Sequence, residues 1–121
     1  GTAKRIIKEG QVFSRIHVED IARVLFASIE QPGIGRVYNV CDDLPAPPED
    51  VLSFAAKLLN KEDPPIANFL SSNLSDMVRS FYSECKRVDN SKIKSDLQIS
   101  LKYPNYKIGL KSVLKEANLS L

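Results

Sequence analysis

The residues best suited to chemistry are Arg15 and His17, two positions apart in Phe13-Ser14-Arg15-Ile16-His17-Val18. In an extended backbone alternate side chains share a face, so Arg15 and His17 are expected to point together, toward solvent or toward a cleft. Val12, Ser14, Ile16 and Val18 then face the core. A guanidinium grips a phosphate through two parallel hydrogen bonds, which makes Arg15 a candidate ligand contact. The competing reading is an arginine at the core rim, paired with Glu19 or Asp20. His17 has no nucleophile near it in sequence and is expected to cap or orient the helix that follows. Asp42-Asp43, with three prolines just behind, reads as a solvated turn. One histidine and the two cysteines Cys41 and Cys85 offer no zinc spacing and no disulfide framework, so reduced thiols and no metal site are expected. Gly33-Ile34-Gly35 lacks the third glycine of a dinucleotide fingerprint, where Tyr38 stands, and runs toward a strand; it reads as a turn, with no cofactor-binding residue.

The elements that must position these groups follow from periodicity. Lys4-Arg5-Ile6-Ile7 and Gln11 to His17, either side of Lys8-Glu9-Gly10, read as a β-hairpin. Glu19 to Gln31 carries Ile21, Val24, Leu25 and Ile29 at helical spacing, with two acids in the first turn to match the helix dipole and Pro32-Gly33 as its end. Arg36 to Cys41 reads as a short strand covered on both faces. Pro48 opens a second helix with Val51, Leu52, Ala55, Leu58 and Leu59 on one stripe and Asn60 as its stop. Residues 61–72 read as a loop or short strand around Pro64-Pro65. A third helix is expected from Ser75, with Met77, Val78 and Phe81, and Lys86-Arg87-Val88 as a brief extended run. Asp89 or Asn90 caps a short helix with Ile93 and Leu97 four apart. A last helix after Tyr103-Pro104 has Leu110, Val113, Leu114 and Ala117 on its buried side, with Lys111, Lys115 and Glu116 facing water. Tyr38 and Phe81 are expected in the core.

Three segments resemble one family. His17-Val18-Glu19-Asp20-Ile21-Ala22 is similar to a His-Val-x-Asp-x-Ala strand-to-helix junction. Gly35-Arg36-Val37-Tyr38-Asn39-Val40 is similar to Gly-x-x-Tyr-Asn-Val. Asp89-Asn90-Ser91-Lys92 through Leu97 is similar to Asp-x-Ser-Lys-x-x-x-x-Leu-Gly, with Gln98 in place of the glycine. Together they resemble the carboxy-terminal half of the extended or atypical short-chain dehydrogenase/reductases, the NAD-dependent epimerase/dehydratase family acting on nucleotide sugars. The resemblance implies an α/β fold with short strands and about four to five helices, the substrate-side part of a Rossmann-type enzyme. Residues 1–121 would form a single domain, with the amino-terminal dinucleotide-binding half elsewhere. It further implies NAD(P) in the parent enzyme and none in this chain, with Arg15 and Arg79 contacting the substrate's phosphates. The family's catalytic tyrosine and lysine lie four apart on a helix, the lysine lowering the phenol's pKa. Tyr82 with Lys86 and Tyr103 with Lys107 copy that spacing, but they follow the junction that the family's pair precedes. Pro104 also breaks a helix through the second pair. No catalytic residue is therefore assigned.

Composition excludes other classes. The chain of 121 residues is 43% hydrophobic and 26% charged with a net charge of +2, too small to argue for nucleic acid or an anionic membrane. No apolar run reaches a membrane span, and Gly1 to Arg5 has no apolar stretch behind it to make a secretory signal. A cytoplasmic protein is expected. A start at Gly1 rather than methionine suggests a piece of a longer protein. The expected function is the substrate-binding portion of an NAD(P)-dependent nucleotide-sugar epimerase/dehydratase-like oxidoreductase, inactive alone. The alternative is a stand-alone module derived from such an enzyme, forming a homo-oligomer.

Overall fold

The computed structural model describes residues 1–33 and 35–119. Ile34, the middle of the expected Gly33–Gly35 turn, lies outside them. Among the described residues the architecture is α/β, with five helices and a two-stranded parallel sheet. The chain divides into two compact units, each built from two stretches of sequence: Gly1–Phe13 with Ala46–Arg87, and Ser14–Pro45 with Val88–Leu121.

The first unit holds β1 (Arg5–Ile7), α2 (Pro48–Leu58), β2 (Ile66–Asn68) and α3 (Asp76–Phe81). The strands run parallel, with Arg5 opposite Ile66 and Ile7 opposite Asn68. The hairpin expected from the sequence does not form. Gly10, at φ +76°, does turn the chain, and the Gln11 N–H donates to Lys8 O at 3.1 Å. The returning segment then passes β1 by and makes an isolated antiparallel bridge between Phe13 and Ala46. Local sequence supplied the turn, but the ladder partners are some sixty residues away, where no short-range pattern points. Arg5 fastens this pairing: Nε donates to Pro64 O at 2.7 Å, and Nη1 reaches Asp63 at 3.0 Å and Ser53 of α2 at 3.2 Å. Helix α2 starts at Pro48 as expected, and Asn60 stops it in the left-handed region at φ 53°, which asparagine tolerates. Buried Tyr82 lies edge-on to Phe13 (5.4 Å) and stacked on Phe69 (5.8 Å). Phe81, expected in the core, is instead exposed, because α3 ends there and Tyr82 takes the inward position.

The second unit holds α1 (Val18–Glu30), α4 (Ser91–Asp96) and α5 (Tyr106–Leu119). Val24, Ile93 and Leu97 form its core, with Ala27, Tyr38, Val40 and Ile99 packed around them. The expected strand over Arg36–Cys41 does not form: among the described residues no ladder partner faces it, and Val37 is 77% exposed rather than covered. Residues 86–88 likewise form no strand. At α4 the two candidate caps divide the work. Asp89 Oδ1 accepts the Ser91 N–H at 2.9 Å, while Asn90 donates from Nδ2 to Cys41 O (3.0 Å) and Asp43 (2.8 Å). On α5, Gly109 is buried and Leu110 and Leu114 are half-buried, but Val113 and Ala117 lie open.

Gln98 follows α4 at φ 53°, with the Ile99 N–H returning to Ile93 O at 3.3 Å. This is the helix-ending geometry that glycine adopts without strain. Gln98→Gly is expected to stabilise the fold by about 0.5–1 kcal/mol, relief of the left-handed strain outweighing glycine's greater freedom when unfolded. Urea unfolding checks it: the midpoint should rise at unchanged slope, and a lower midpoint contradicts the reading.

Candidate functional site

The site grows from the first turn of α1. His17 is the N-cap, in extended conformation (φ −69°, ψ 142°), and its Nδ1 accepts the Glu19 N–H at 3.1 Å. That is the capping role read from the sequence. The acceptor at Nδ1 puts the neutral ring's proton on Nε2. One ring face stacks on Tyr103, centroids 3.9 Å apart and planes at 23°. The ring edge meets α5 at Gly109, where a Cβ would lie 3.3 Å from Cδ2, so the glycine permits this close packing. The ring is therefore held from three sides, and Nε2 is buried without a hydrogen-bond partner.

Asp20, expected only to complement the helix dipole, has a fully buried side chain. Its carboxylate accepts the Lys102 N–H (3.0 Å) and the Tyr103 N–H (2.8 Å), and Arg23 at 3.1 Å. Glu19 takes Lys102 Nζ at 2.9 Å and the Tyr103 hydroxyl at 3.2 Å, and these hydrogen bonds, Lys102 first, hold its carboxyl below the usual range. Both first-turn acids are thus engaged, by Lys102 and Tyr103 and, for Asp20, by Arg23 as well. Neither forms the ion pair with Arg15 considered from the sequence.

Arg15 is half-buried, and its electrostatic neighbours are Asp42 and Tyr106. Burial lowers the guanidinium's pKa, while those two neighbours raise it. Its Nη1 is buried with no hydrogen-bond partner, a costly arrangement for a donor. Asp42 corrects the sequence reading. It is not solvated but 4% exposed, because its N–H donates to Arg15 O at 2.7 Å and its Oδ1 accepts the Leu44 N–H at 2.9 Å, folding the side chain inward. Burial raises the Asp42 carboxyl above its ordinary range, opposed by the Leu44 N–H and by Arg15. Asp43 remains exposed, bonded to Asn90 and Lys94. The one sequence signal for Asp42 was its place two residues before Leu44, the spacing of an aspartate turn.

Arg79 belongs to the first unit. Nη1 and Nη2 donate to Phe69 O (3.3 Å) and Ser72 O (2.9 Å), and the guanidinium lies 5.3 Å from the Phe69 ring centre. Its terminal nitrogens thus hold the loop after β2. Tyr82 ends α3, and the Lys86 ammonium lies 2.6 Å from Glu84; Tyr103 precedes α5, which carries Lys107. Neither tyrosine shares a helix face with the lysine four residues on. Among the described residues no group of three or more His, Cys, Asp or Glu is placed to hold a metal ion.

No family model and no curated protein matches this sequence. Solved structures do, among them the following two. A functionally unknown conserved protein from Silicibacter pomeroyi shares 56% identity and superposes with a TM-score of 0.92, over 95% of this chain and 42% of that one. A dTDP-glucose 4,6-dehydratase from Bacillus anthracis, in complex with NAD, shares 17% identity with a TM-score of 0.70, over 97% of this chain and 35% of that one. This chain therefore shares its fold with part of that dehydratase and spans less than half the length of either protein.

Because burial raises the folded pKa of Asp42 above its unfolded value near ~3.9, the protonated form is favoured in the folded state. Its contribution to stability is full below the unfolded pKa and is lost as pH rises through the folded one. Asp42→Asn removes that loss, so the stability of the variant relative to wild type should increase as pH rises from about 4 through that window. Urea unfolding at a series of pH values reads this directly, and a gap that is flat or shrinks contradicts it.

Proposed function

We propose that this chain is the carboxy-terminal, substrate-side portion of an NAD(P)-dependent nucleotide-sugar epimerase/dehydratase-like oxidoreductase. Residues 1–121 act as one region of that cytoplasmic enzyme, and the dinucleotide and reactive groups belong to the rest of the polypeptide. The supporting observation is the fold likeness to an NAD-bound dehydratase over 97% of this chain but 35% of that one. Arg15 and Arg79 are the proposed phosphate contacts, Arg15 the stronger because its Nη1 has no hydrogen-bond partner among the described residues.

A bare apolar flank supports the same reading. On α1, Leu25 is 60%, Phe26 65% and Ile29 73% exposed. Beside them an open groove is lined mainly by apolar residues, Phe26, Leu97 and Ile99 among them, with Arg23 and Gln98 also on its wall. Three large apolar side chains on one helix are costly to leave in water, at about 1.5–3 kcal/mol each for full burial. The Arg36–Cys41 segment adds β-forming residues with no ladder, as a strand would whose sheet lies elsewhere in the polypeptide. The same bare helix also favours the second reading, a stand-alone oligomerising module derived from such an enzyme.

The test is cofactor binding and turnover. The 121-residue chain should neither bind NAD or NADP nor oxidise or epimerise a nucleotide sugar, while the longer polypeptide should bind the cofactor. Turnover by this chain alone contradicts the proposal. Light scattering separates the second reading: a strict monomer counts against it, and a concentration-independent dimer supports it over the first.

A further inference from the structure

Arg36 and Tyr38 are two positions apart, the spacing that puts side chains on one side of an extended chain. Both line one cavity of about 380 Å³ in the second unit. Ser28 and Gln31, from the end of α1, and Pro32 and Gly33, from the turn that follows, complete its wall. That volume lies at the small end of ligand sites, which run to roughly 300–1,000 Å³. Gly33 gives Arg36 its seat. The Arg36 N–H donates to Gly33 O at 3.2 Å, and a Cβ on residue 33 would lie 2.8 Å from Arg36 Nε and closer still to Cδ. The arginine stem thus occupies the room that the glycine leaves. Arg36 Nη1 stands 3.9 Å from Asp96 Oδ2, and the Tyr38 hydroxyl 3.5 Å from the same oxygen. The first contact is too long for a hydrogen bond, so the guanidinium keeps N–H donors for a ligand. Tyr38 is half-buried, packed against the Val24, Ile93 and Leu97 core while also lining the cavity. Lys92 Nζ lies 5.1 Å from its ring centre and donates to Val37 O at 2.8 Å.

We propose that this cavity is a binding site for a small carboxylate with a flat apolar body, its charge held by Arg36 and its body lying against Tyr38 and Pro32. The site is separate from Arg15 and Arg79 and does not rest on the role given to either. Among the described residues that line it, Arg36 is the one charged group. Lys92 and Asp96, beside Tyr38 and Arg36, bring one charge of each sign, so the surplus charge is that of Arg36. A guanidinium takes a planar carboxylate through two parallel N–H···O bonds. The Tyr38 and Pro32 rings supply apolar surface, and a flat ring against a phenol adds stacking. Ser28 and Gln31 stand at the carbonyl end of α1, which disfavours negative charge. The Ser28 hydroxyl spends its hydrogen on Leu25 O at 2.7 Å, so it too presents lone pairs. The ligand's negative charge is therefore directed to Arg36 and away from the helix end.

Benzoate is the probe, with benzamide as its neutral counterpart of the same shape and acetate carrying the charge without the ring. Each is titrated into the 121-residue chain and followed through the backbone amide NMR signals. Benzoate should give saturable shifts centred on Ser28, Gly33, Arg36 and Tyr38. Benzamide should bind about tenfold more weakly, the loss expected when a charge-assisted hydrogen-bond pair is removed. Acetate should also bind more weakly, for want of the ring. Arg36→Met keeps the stem without the charge and should weaken benzoate about tenfold while leaving benzamide unchanged. Gly33→Ala pushes the stem out of its seat and should weaken benzoate too. Lys111→Met, at an exposed position of α5, should bind benzoate like wild type. Amide spectra confirm that the variants fold, and the comparison of benzoate with benzamide needs wild type alone. Equal affinity for those two molecules overturns the inference. So do benzoate shifts that are absent at millimolar concentration or scattered over the surface. Arg36→Met binding like wild type, or Lys111→Met losing as much as Arg36→Met, overturns it as well. None of these outcomes touches the reading of Arg15.

Discussion

The second unit depends on one buried carboxylate. Asp20 sits in the first turn of α1 with no exposure and accepts two successive backbone N–H groups from residues 102 and 103, with Arg23 completing its charge balance. Removing it would leave the buried Tyr103 N–H unpaired, at about 1–3 kcal/mol, together with the partly buried Lys102 N–H, and would take the carboxylate partner from Arg23. Through those bonds Asp20 sets the position of Tyr103, on which His17 stacks, and of the chain entering α5. His17 in turn caps α1. The cap, the ring stack and the Arg15 segment leading into the helix are thus one mechanical assembly. Asp20 and His17 are, in this geometry, structural: they fix the start of α1, just beyond Arg15 in the chain.

That assembly also explains which expectations survived. Helix α1, its histidine cap, the proline start of α2, the asparagine stop and the Ile93–Leu97 pair are local features. Each is set by residues within four or five positions of one another, so spacing alone exposes them. The hairpin failed because β1 chose a parallel partner at Ile66–Asn68, and parallel pairing leaves no short-range signature. The strand over Arg36–Cys41 failed for a related reason: its residues suit a sheet, but no described strand faces them.

At the candidate site the sequence pointed to Arg15 and His17 but missed the two aspartates that surround them. Asp20 looked like a helix-dipole acid, and Asp42 like part of a solvated proline-rich turn. Burial of a carboxylate is decided by distant donors, Lys102 and Tyr103 in one case, and by the backbone bond to Arg15 in the other. Neither can be read from the residues alongside. Arg79 emerges with a local task, holding the loop after β2 through Phe69 and Ser72.

The central claim is that the bare flank of α1 and the unladdered 36–41 segment are covered by polypeptide outside this chain. Hydrogen exchange of backbone amides tests it most directly, compared between these residues alone and the same residues within the longer polypeptide. The account predicts that the amides of 37–40 exchange freely in the isolated chain and become strongly protected in the longer one, with slower opening of α1 around Leu25 to Ile29. Equal exchange in both contexts would contradict it.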